Sequence, residues 1–351
     1  MPFKPLSLPE FLDHGFDTVI DVRSPAEFAE DHVPGAINLP VLSDEQRAQV
    51  GTLYKQVSPF DARKLGAALV FRNAAAHIEG PLSHHDGAWQ PLVYCWRGGQ
   101  RSGSFAWLLK EIGWRSDVIE GGYKTYRRLV VDMLHRTPLP HRFVQLGGYT
   151  GTAKTELLAL LANRGVQVID LEGLANHRGS LLGGMGGQPS QKAFESALAQ
   201  VLCRLDPTQP VVLEAESSKI GDILIPPSLW DAMKTAPWIE VTAPLEARTD
   251  YLMRAYDDIL SDTDGLRKKL APLCSHRGEA LVSGWIGMSA AGDKRALTRS
   301  LMQHHYDLAY AKSMKTRAPD VIARLTTDGL SPDHLHHLAG QIEAALQTMS
   351  M

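Results

Sequence analysis

The chain has 351 residues, 44% hydrophobic and 21% charged, a size that implies two domains of roughly 150 residues each and an ordinary globular composition. Its formal net charge of -3 excludes a globally basic nucleic-acid binder, though not a local basic patch. No stretch reaches the roughly 20 apolar residues of a membrane span and Met1 to Glu10 lacks an apolar signal core, so the expectation is an unprocessed cytoplasmic protein with no membrane partner.

The predicted elements alternate. Thr18 to Val22 is a short apolar run, a buried strand. Ser24-Pro25-Ala26-Glu27 starts a helix, with a capping Ser, Pro at the first position and Glu three after the Ser. Pro34 to Pro40 is a turn, a brief strand and a stop. Residues 43 to 79 have helical spacing. Leu92 to Tyr94 is a strand, Ser104 to Ile112 a helix, and Asp117 to Ile119 a third strand closing at Gly121-Gly122. Residues 137–142, with Pro138 and Pro140, form a stiff linker. Phe143 to Leu146, Val166 to Leu171, Val211 to Leu213 and Ile239 to Val241 are further strands. The expected fold class is α/β: a first parallel-sheet domain over 1–136, a second α/β domain over 143–245, and a mostly helical region over 246–351. Ser180 to Pro189 holds four Gly and is the expected mobile loop.

Two glycine loops carry the chemistry. In the first, Cys95 ends a strand and Trp96-Arg97-Gly98-Gly99-Gln100-Arg101-Ser102 leads into a helix. Paired glycines let successive N–H groups converge on an anion, and the helix N-terminus adds positive potential. With Arg97 and Arg101 this favours a thiolate on Cys95. The other cysteines, Cys203 and Cys274, are distant and make no CxxC pair, so neither a zinc site nor a disulfide framework is expected. A buried structural cysteine would have no need of this loop.

The second loop, Gly147 to Thr155, follows a strand and opens a helix. It nearly meets the phosphate-binding pattern G-x-x-x-x-G-K-[ST] from Gly148, through Thr150, Gly151, Thr152, Lys154 and Thr155. Lys154 would contact phosphates and Thr155 a magnesium ion. Ala153 stands where the pattern has Gly, and its methyl threatens to crowd the backbone. Asp170 and Glu216 close strands where metal- or substrate-facing acids are found, with Glu216 preferred over Glu214. His177 and Arg178 follow Asp170 as substrate-contact candidates, a lone His being more often a satisfied hydrogen-bonder. Lys124, Arg127 and Arg128, interleaved with Tyr123 and Tyr126, form either a nucleic-acid contact patch or a solvated face. The doublets His304-His305 and His336-His337 do not share a helix face, which argues against metal ligation. No certain metal site is read.

The first half resembles a rhodanese domain, through Asp21-Val22-Arg23, His32 to Asn38, the Cys95 loop and Glu120-Gly121-Gly122. One departure is that Arg101 lies six positions after Cys95, where common single-domain rhodaneses have five. A Cys-x5-Arg loop also resembles cysteine phosphatases and arsenate reductases, and implies a wider pocket. A rhodanese-like domain followed by a P-loop domain resembles the tRNA 2-selenouridine synthases, through Cys95 to Ser102, Gly121 to Lys124, Gly147 to Thr155, Asp170 to Ala175 and His177 to Ser180.

The resemblance implies a transferase that converts 2-thiouridine to 2-selenouridine at the tRNA wobble position, through an S-geranylated intermediate. Its substrates would be geranyl diphosphate and selenophosphate, with no tightly bound cofactor beyond magnesium at most. Its partners would be the anticodon arm and a selenophosphate supplier. The expected division has the second loop hold the diphosphate and Cys95 receive selenium as a perselenide. Leu181, Leu182, Met185 and apolar residues of the C-terminal helices are candidates for the geranyl channel. Two other readings stand beside this one: a cysteine-dependent phosphatase or arsenate reductase, and a P-loop kinase or NTPase with a non-catalytic rhodanese domain.

Overall fold

The structure, a computed structural model, describes residues 2–180, 182–184 and 186–348. The chain packs as two compact units, Met1–Thr137 with Pro189–Arg204, and Pro138–Gln188 with Leu205–Met351.

The first unit is built on a four-stranded parallel sheet in the order Ile37–Asn38, Thr18–Asp21, Pro91–Tyr94, Asp117–Val118. The central strands are apolar on both faces: Val19, Ile20, Leu92 and Val93 are buried, as a parallel sheet covered by helices requires. Helices Asp44–Gln56 and Pro59–Glu79 occupy the stretch read as helical. Ser24 and Ser43 each close a capping box. Helix Gln100–Ile112 begins four residues before the expected Ser104, directly after the glycine pair.

Helix Gln191–Arg204 was expected in the second domain, and it packs in the first unit. Its buried Glu195 accepts hydrogen bonds from Arg127 and pairs with His135 at 3.1 Å. Ser196 Oγ donates to Asp31 at 3.0 Å. The polar groups this helix buries find their partners on the rhodanese-like side, and that decides its allegiance.

The second unit has a five-stranded parallel sheet, ordered Val321–Thr326, Trp238–Thr242, Arg142–Gly148, Pro210–Glu214, Gln167–Ile169. The edge strand Val321–Thr326 lies within the mostly helical 246–351 region and is not among the strands expected from the sequence. Its residues alternate between half-buried and exposed, so it lacks the continuous apolar run that marks the central strands. The closing helix Pro332–Thr348 packs on helix Lys154–Asn163 through Leu335, Leu338 and Ile342. Between the last two strands, helices spanning 245–317 pack around the buried Leu266, Leu270, Val282, Trp285 and Leu297. No helix of the described residues is long and apolar enough to cross a membrane.

Candidate functional site

Cys95 sits at the end of the Pro91–Tyr94 strand and is 3% exposed. Its loop is pressed against the Ile119–Gly122 turn, and the contact explains two glycines. Gly98 and Gly122 both have positive φ, +63° and +61°. A Cβ on Gly122 would lie 2.2 Å from the Cys95 carbonyl oxygen, and one on Gly98 would lie 2.7 Å from that of Ile119. The backbones approach so closely that no side chain fits between them. Tyr123 N donates to Cys95 O at 2.8 Å and Lys124 N to Trp96 O at 3.2 Å, fixing the loop.

Ser102 Oγ lies 3.2 Å from Cys95 Sγ and 3.3 Å from the Gly99 carbonyl. Burial pushes the Cys95 thiol up. Hydrogen bonds from the Ser102 hydroxyl and backbone, the Arg101 charge and the Arg97 backbone outweigh it, and the thiol lies below its ordinary value. Arg101 is held by Glu27 at 3.0 Å, a carboxylate that Arg47 also pairs with at 2.9 Å. Arg97 is exposed. Beneath the loop, buried Arg23 grips Asp21 through two nitrogens and stacks 4.1 Å from the Tyr123 ring centre. This is a rigid support for the nest.

In the second unit, the phosphate loop opens on a cavity of about 450 Å³. Thr150, Gly151, Ala153, Lys154 and Thr155 line it. Gly148 and Thr152 do not: the Gly148 carbonyl accepts from Lys154 Nζ at 3.2 Å, and buried Thr152 donates to Tyr149 O at 2.9 Å. Ala153 adopts the left-handed conformation, φ +57°, that favours glycine. Its methyl is buried in the core cluster that includes Val144, Leu157 and Val241.

Asp170, His177, Arg178 and Glu216, all singled out in the sequence, converge on this cavity. Their roles differ. Asp170 accepts from Gly173 N at 2.6 Å and caps a short helix. His177 Nδ1 accepts from Gly179 N at 3.1 Å, and burial lowers its basicity, so it is the satisfied hydrogen-bonder. Arg178 binds Asp258 through two nitrogens, at 3.0 and 3.2 Å, and stacks on Tyr256. Burial first, and then the adjoining Glu172 carboxylate, push Glu216 up to about 8. Glu214 turns away from the cavity and accepts from Leu171 N at 3.0 Å, its carboxyl raised by burial.

Glu172 was not singled out, yet it hydrogen-bonds Glu216 and accepts from Thr155 Oγ1 at 3.2 Å. Its Glu172-Gly173 context in the loop was the available signal. Tyr251, Tyr256 and Tyr306 reach the cavity from the helical region, and nothing local in the sequence marks them. Arg248 is buried, donates to the Thr150 carbonyl at 3.2 Å and is held by Asp307, so it props the phosphate loop from behind. Beside the cavity lies an apolar cleft of about 30 Å³, lined by Leu182, Leu252, Leu260, Leu301 and Met302. Cavity and cleft share Thr150, Ser180, Leu252, Tyr256 and Tyr306. Leu181 and Met185 lie outside the described residues.

The expected tRNA patch does not form as read. Tyr123 and Tyr126 are 2% and 1% exposed, unavailable for stacking on bases, and Arg127 is taken by Glu195. Lys124 and Arg128 alone remain as exposed cations. Among the described residues no group of three or more His, Cys, Asp or Glu is gathered to hold a metal ion.

Residues 5–129 match the rhodanese-like domain family, and residues 141–277 match the family described as tRNA 2-selenouridine synthase AAA domain. The chain is 33% identical over 336 residues to the tRNA 2-selenouridine synthase of Hahella chejuensis, covering 87% of this chain and 88% of that protein. It belongs to the tRNA 2-selenouridine synthase family. The tRNA 2-selenouridine synthase of Nitrosomonas europaea is 37% identical over 269 residues, covering 73% of this chain and 68% of that protein. That of Bdellovibrio bacteriovorus is 36% identical over 274 residues, covering 75% and 70%. This tRNA 2-selenouridine synthase architecture accounts for both glycine loops in one protein, which neither the phosphatase nor the kinase reading does.

Proposed function

We propose that this enzyme is a transferase that replaces the sulfur of 2-thiouridine at the tRNA wobble position with selenium, by way of an S-geranylated base. The observation that carries the division of labour is the shared wall between a polar phosphate cavity and an apolar cleft. That combination suits one amphipathic ligand, a diphosphate with a hydrocarbon tail. The thione sulfur attacks C1 of geranyl diphosphate, the C–O bond breaks, and diphosphate leaves into the Lys154 loop. A cleft of about 30 Å³ holds roughly one water, so the tail must part Leu182 from Leu260 and Leu301 as it enters. A magnesium ion here would take the Thr155 hydroxyl and the Glu172–Glu216 pair, with its remaining oxygens from the diphosphate and water.

The Cys95 step follows from electron balance. Selenium in selenophosphate is already at the selenide level, so making a perselenide on Cys95 would need a two-electron oxidant. The balanced step has the Cys95 thiolate attack phosphorus and release hydrogen selenide. The Cys-x5-Arg loop, with its N–H nest and Ser102, is built for a phosphoryl group of that kind. Hydrogen selenide then displaces geranyl thiolate from C2 of the pyrimidine, and water clears phosphate from Cys95. A selenophosphate-making enzyme is the implied supplier, and the cytoplasm the implied compartment.

Mass analysis of nucleosides tests the reading. With 2-thiouridine tRNA and geranyl diphosphate alone, the S-geranyl nucleoside should accumulate. With selenophosphate added, 2-selenouridine should replace it. Unchanged 2-thiouridine in both reactions overturns the proposal.

A further inference from the structure

The helical part of the second unit carries a second concavity that the two anion loops leave unexplained. It is an open groove of about 730 Å³, between the short helix Cys274–Arg277 and the helix Asp307–Arg317. His276, Arg277, His305, Lys312 and Arg317 line it, and no described lining residue carries a carboxylate. In a chain whose formal net charge is -3, that is a marked local excess of positive charge. Positions 305, 308, 312 and 316 recur at helical spacing and so share one face.

The direct hydrogen bonds of Arg277 and Arg317 go to neutral acceptors, while Arg317 also lies in the field of the Glu216 carboxyl. Arg277 donates to His305 Nδ1 at 3.1 Å and to the His305 carbonyl at 3.2 Å. Arg317 donates to the Glu216 backbone carbonyl at 2.9 Å and stacks over Trp230 and Trp238. Lys312 is exposed. Asp307, the acid on the same helix, is bound by Arg248 through both oxygens at 2.9 Å. Arg277 donates into the His305 ring, and burial first, then the charges of Arg277 and His276, lower the basicity of His305, so the charge of the groove rests on Arg277, Lys312 and Arg317.

The groove also adjoins the phosphate cavity. His305 lines the groove while its neighbour Tyr306 lines the cavity, both on the π-helical turn Met302–Tyr306. Arg317 reaches the backbone of Glu216, whose side chain lines the cavity. From His305, against which Arg277 is held, to Arg317 the helix extends roughly 18 Å, so Arg277, Lys312 and Arg317 are strung out along a track instead of converging on one point. A single phosphate would need convergence, and a nucleic-acid backbone needs a track.

Resting on the reading of a tRNA-modifying enzyme, we propose that this groove seats the sugar-phosphate backbone of the substrate RNA and directs the target base past Tyr306 into the cavity. The test is fluorescence anisotropy of the full chain with 2-thiouridine tRNA across a salt series. The doubly substituted Lys312→Glu, His276→Glu protein should bind at least tenfold more weakly. Its log Kd against log salt should lose a slope of about 1 to 2, at roughly 0.7 to 0.9 per phosphate contact removed. Geranyl diphosphate binding should be retained, showing that the cavity is intact, and the milder Lys312→Ala should weaken tRNA binding about threefold. The pair Lys124→Glu, Arg128→Glu in the first unit should change tRNA binding less.

An unchanged tRNA affinity and salt slope in the groove variant, with wild-type protein still modifying tRNA, overturns the groove and leaves the function standing. Loss of inorganic phosphate binding with tRNA binding intact also overturns it, by marking a small-anion site. Wild-type protein that neither binds nor modifies tRNA sinks the functional reading, and the groove falls with it.

Discussion

The two glycine loops share a backbone plan and differ in everything around it. Both run from a parallel strand through glycines into a helix, at Pro91–Tyr94 to Gln100–Ile112 and at Arg142–Gly148 to Lys154–Asn163. Each puts a helix N-terminus and a glycine-bearing loop together, the arrangement that suits an anion. The first is closed around a thiol by the Ile119–Gly122 turn. The second opens on a cavity of about 450 Å³ walled by carboxylates and tyrosines. The nest is a local product of the chain, while its chemistry is set by what is packed against it. A thiolate with its own hydroxyl donor makes a nucleophile. A lysine lining an open cavity makes a seat for a leaving group.

Exchanging the loops' functional groups separates the two halves most sharply. Cys95→Ala should reduce selenation by at least about 10³-fold while leaving geranylation within about twofold. Lys154→Ala should reduce geranylation by roughly 10²- to 10³-fold. Both are read from nucleoside masses, and loss of both steps in Cys95→Ala would break the division. Closure of the first loop is tested next. Gly122→Ala places a methyl 2.2 Å from the Cys95 carbonyl at a φ of +61°. It should cost at least about 2 kcal/mol in urea unfolding and lower selenation with it.

A smaller effect concerns protonation. Lowering the Cys95 pKa keeps a larger thiolate fraction at a given pH. Its alkylation by iodoacetamide should therefore rise with a midpoint below that of an unperturbed cysteine thiol. Cys203, pushed by burial to about 11, should titrate far above it. Ser102→Ala removes a donor to the charged form and should move the Cys95 midpoint upward. Peptide-resolved mass spectrometry follows each thiol separately, and coincident midpoints would refute the nest's influence.

The least effect is expected at the irregular position of the second loop. Ala153→Gly relieves a left-handed alanine worth roughly 1 kcal/mol and loses a buried methyl worth about 0.8 kcal/mol. The net change in stability should stay below about 1 kcal/mol. Diphosphate affinity by calorimetry should change less than about threefold, because Ala153, although it borders the cavity, is 3% exposed and packs in the core cluster. A large gain in affinity would mean that the methyl does crowd the phosphate.

By itself the sequence determined both anion loops, the order of strands and helices around them, and the family they point to. Those features are local: glycine spacing, capping residues and short apolar runs act within a few positions along the chain. Only the tertiary structure showed why Glu216, the acid already preferred in the sequence, faces the cavity while Glu214 is turned beneath Leu171. It decided too that Glu172 joins Glu216, that Arg248 braces the phosphate loop, and that Tyr123, Tyr126 and Arg127 are withdrawn from any RNA surface. It also placed helix Gln191–Arg204 with the rhodanese-like unit and strand Val321–Thr326 at the sheet edge. Each of these depends on which distant group supplies a hydrogen bond, a charge or a covering surface, and sequence periodicity carries no record of that.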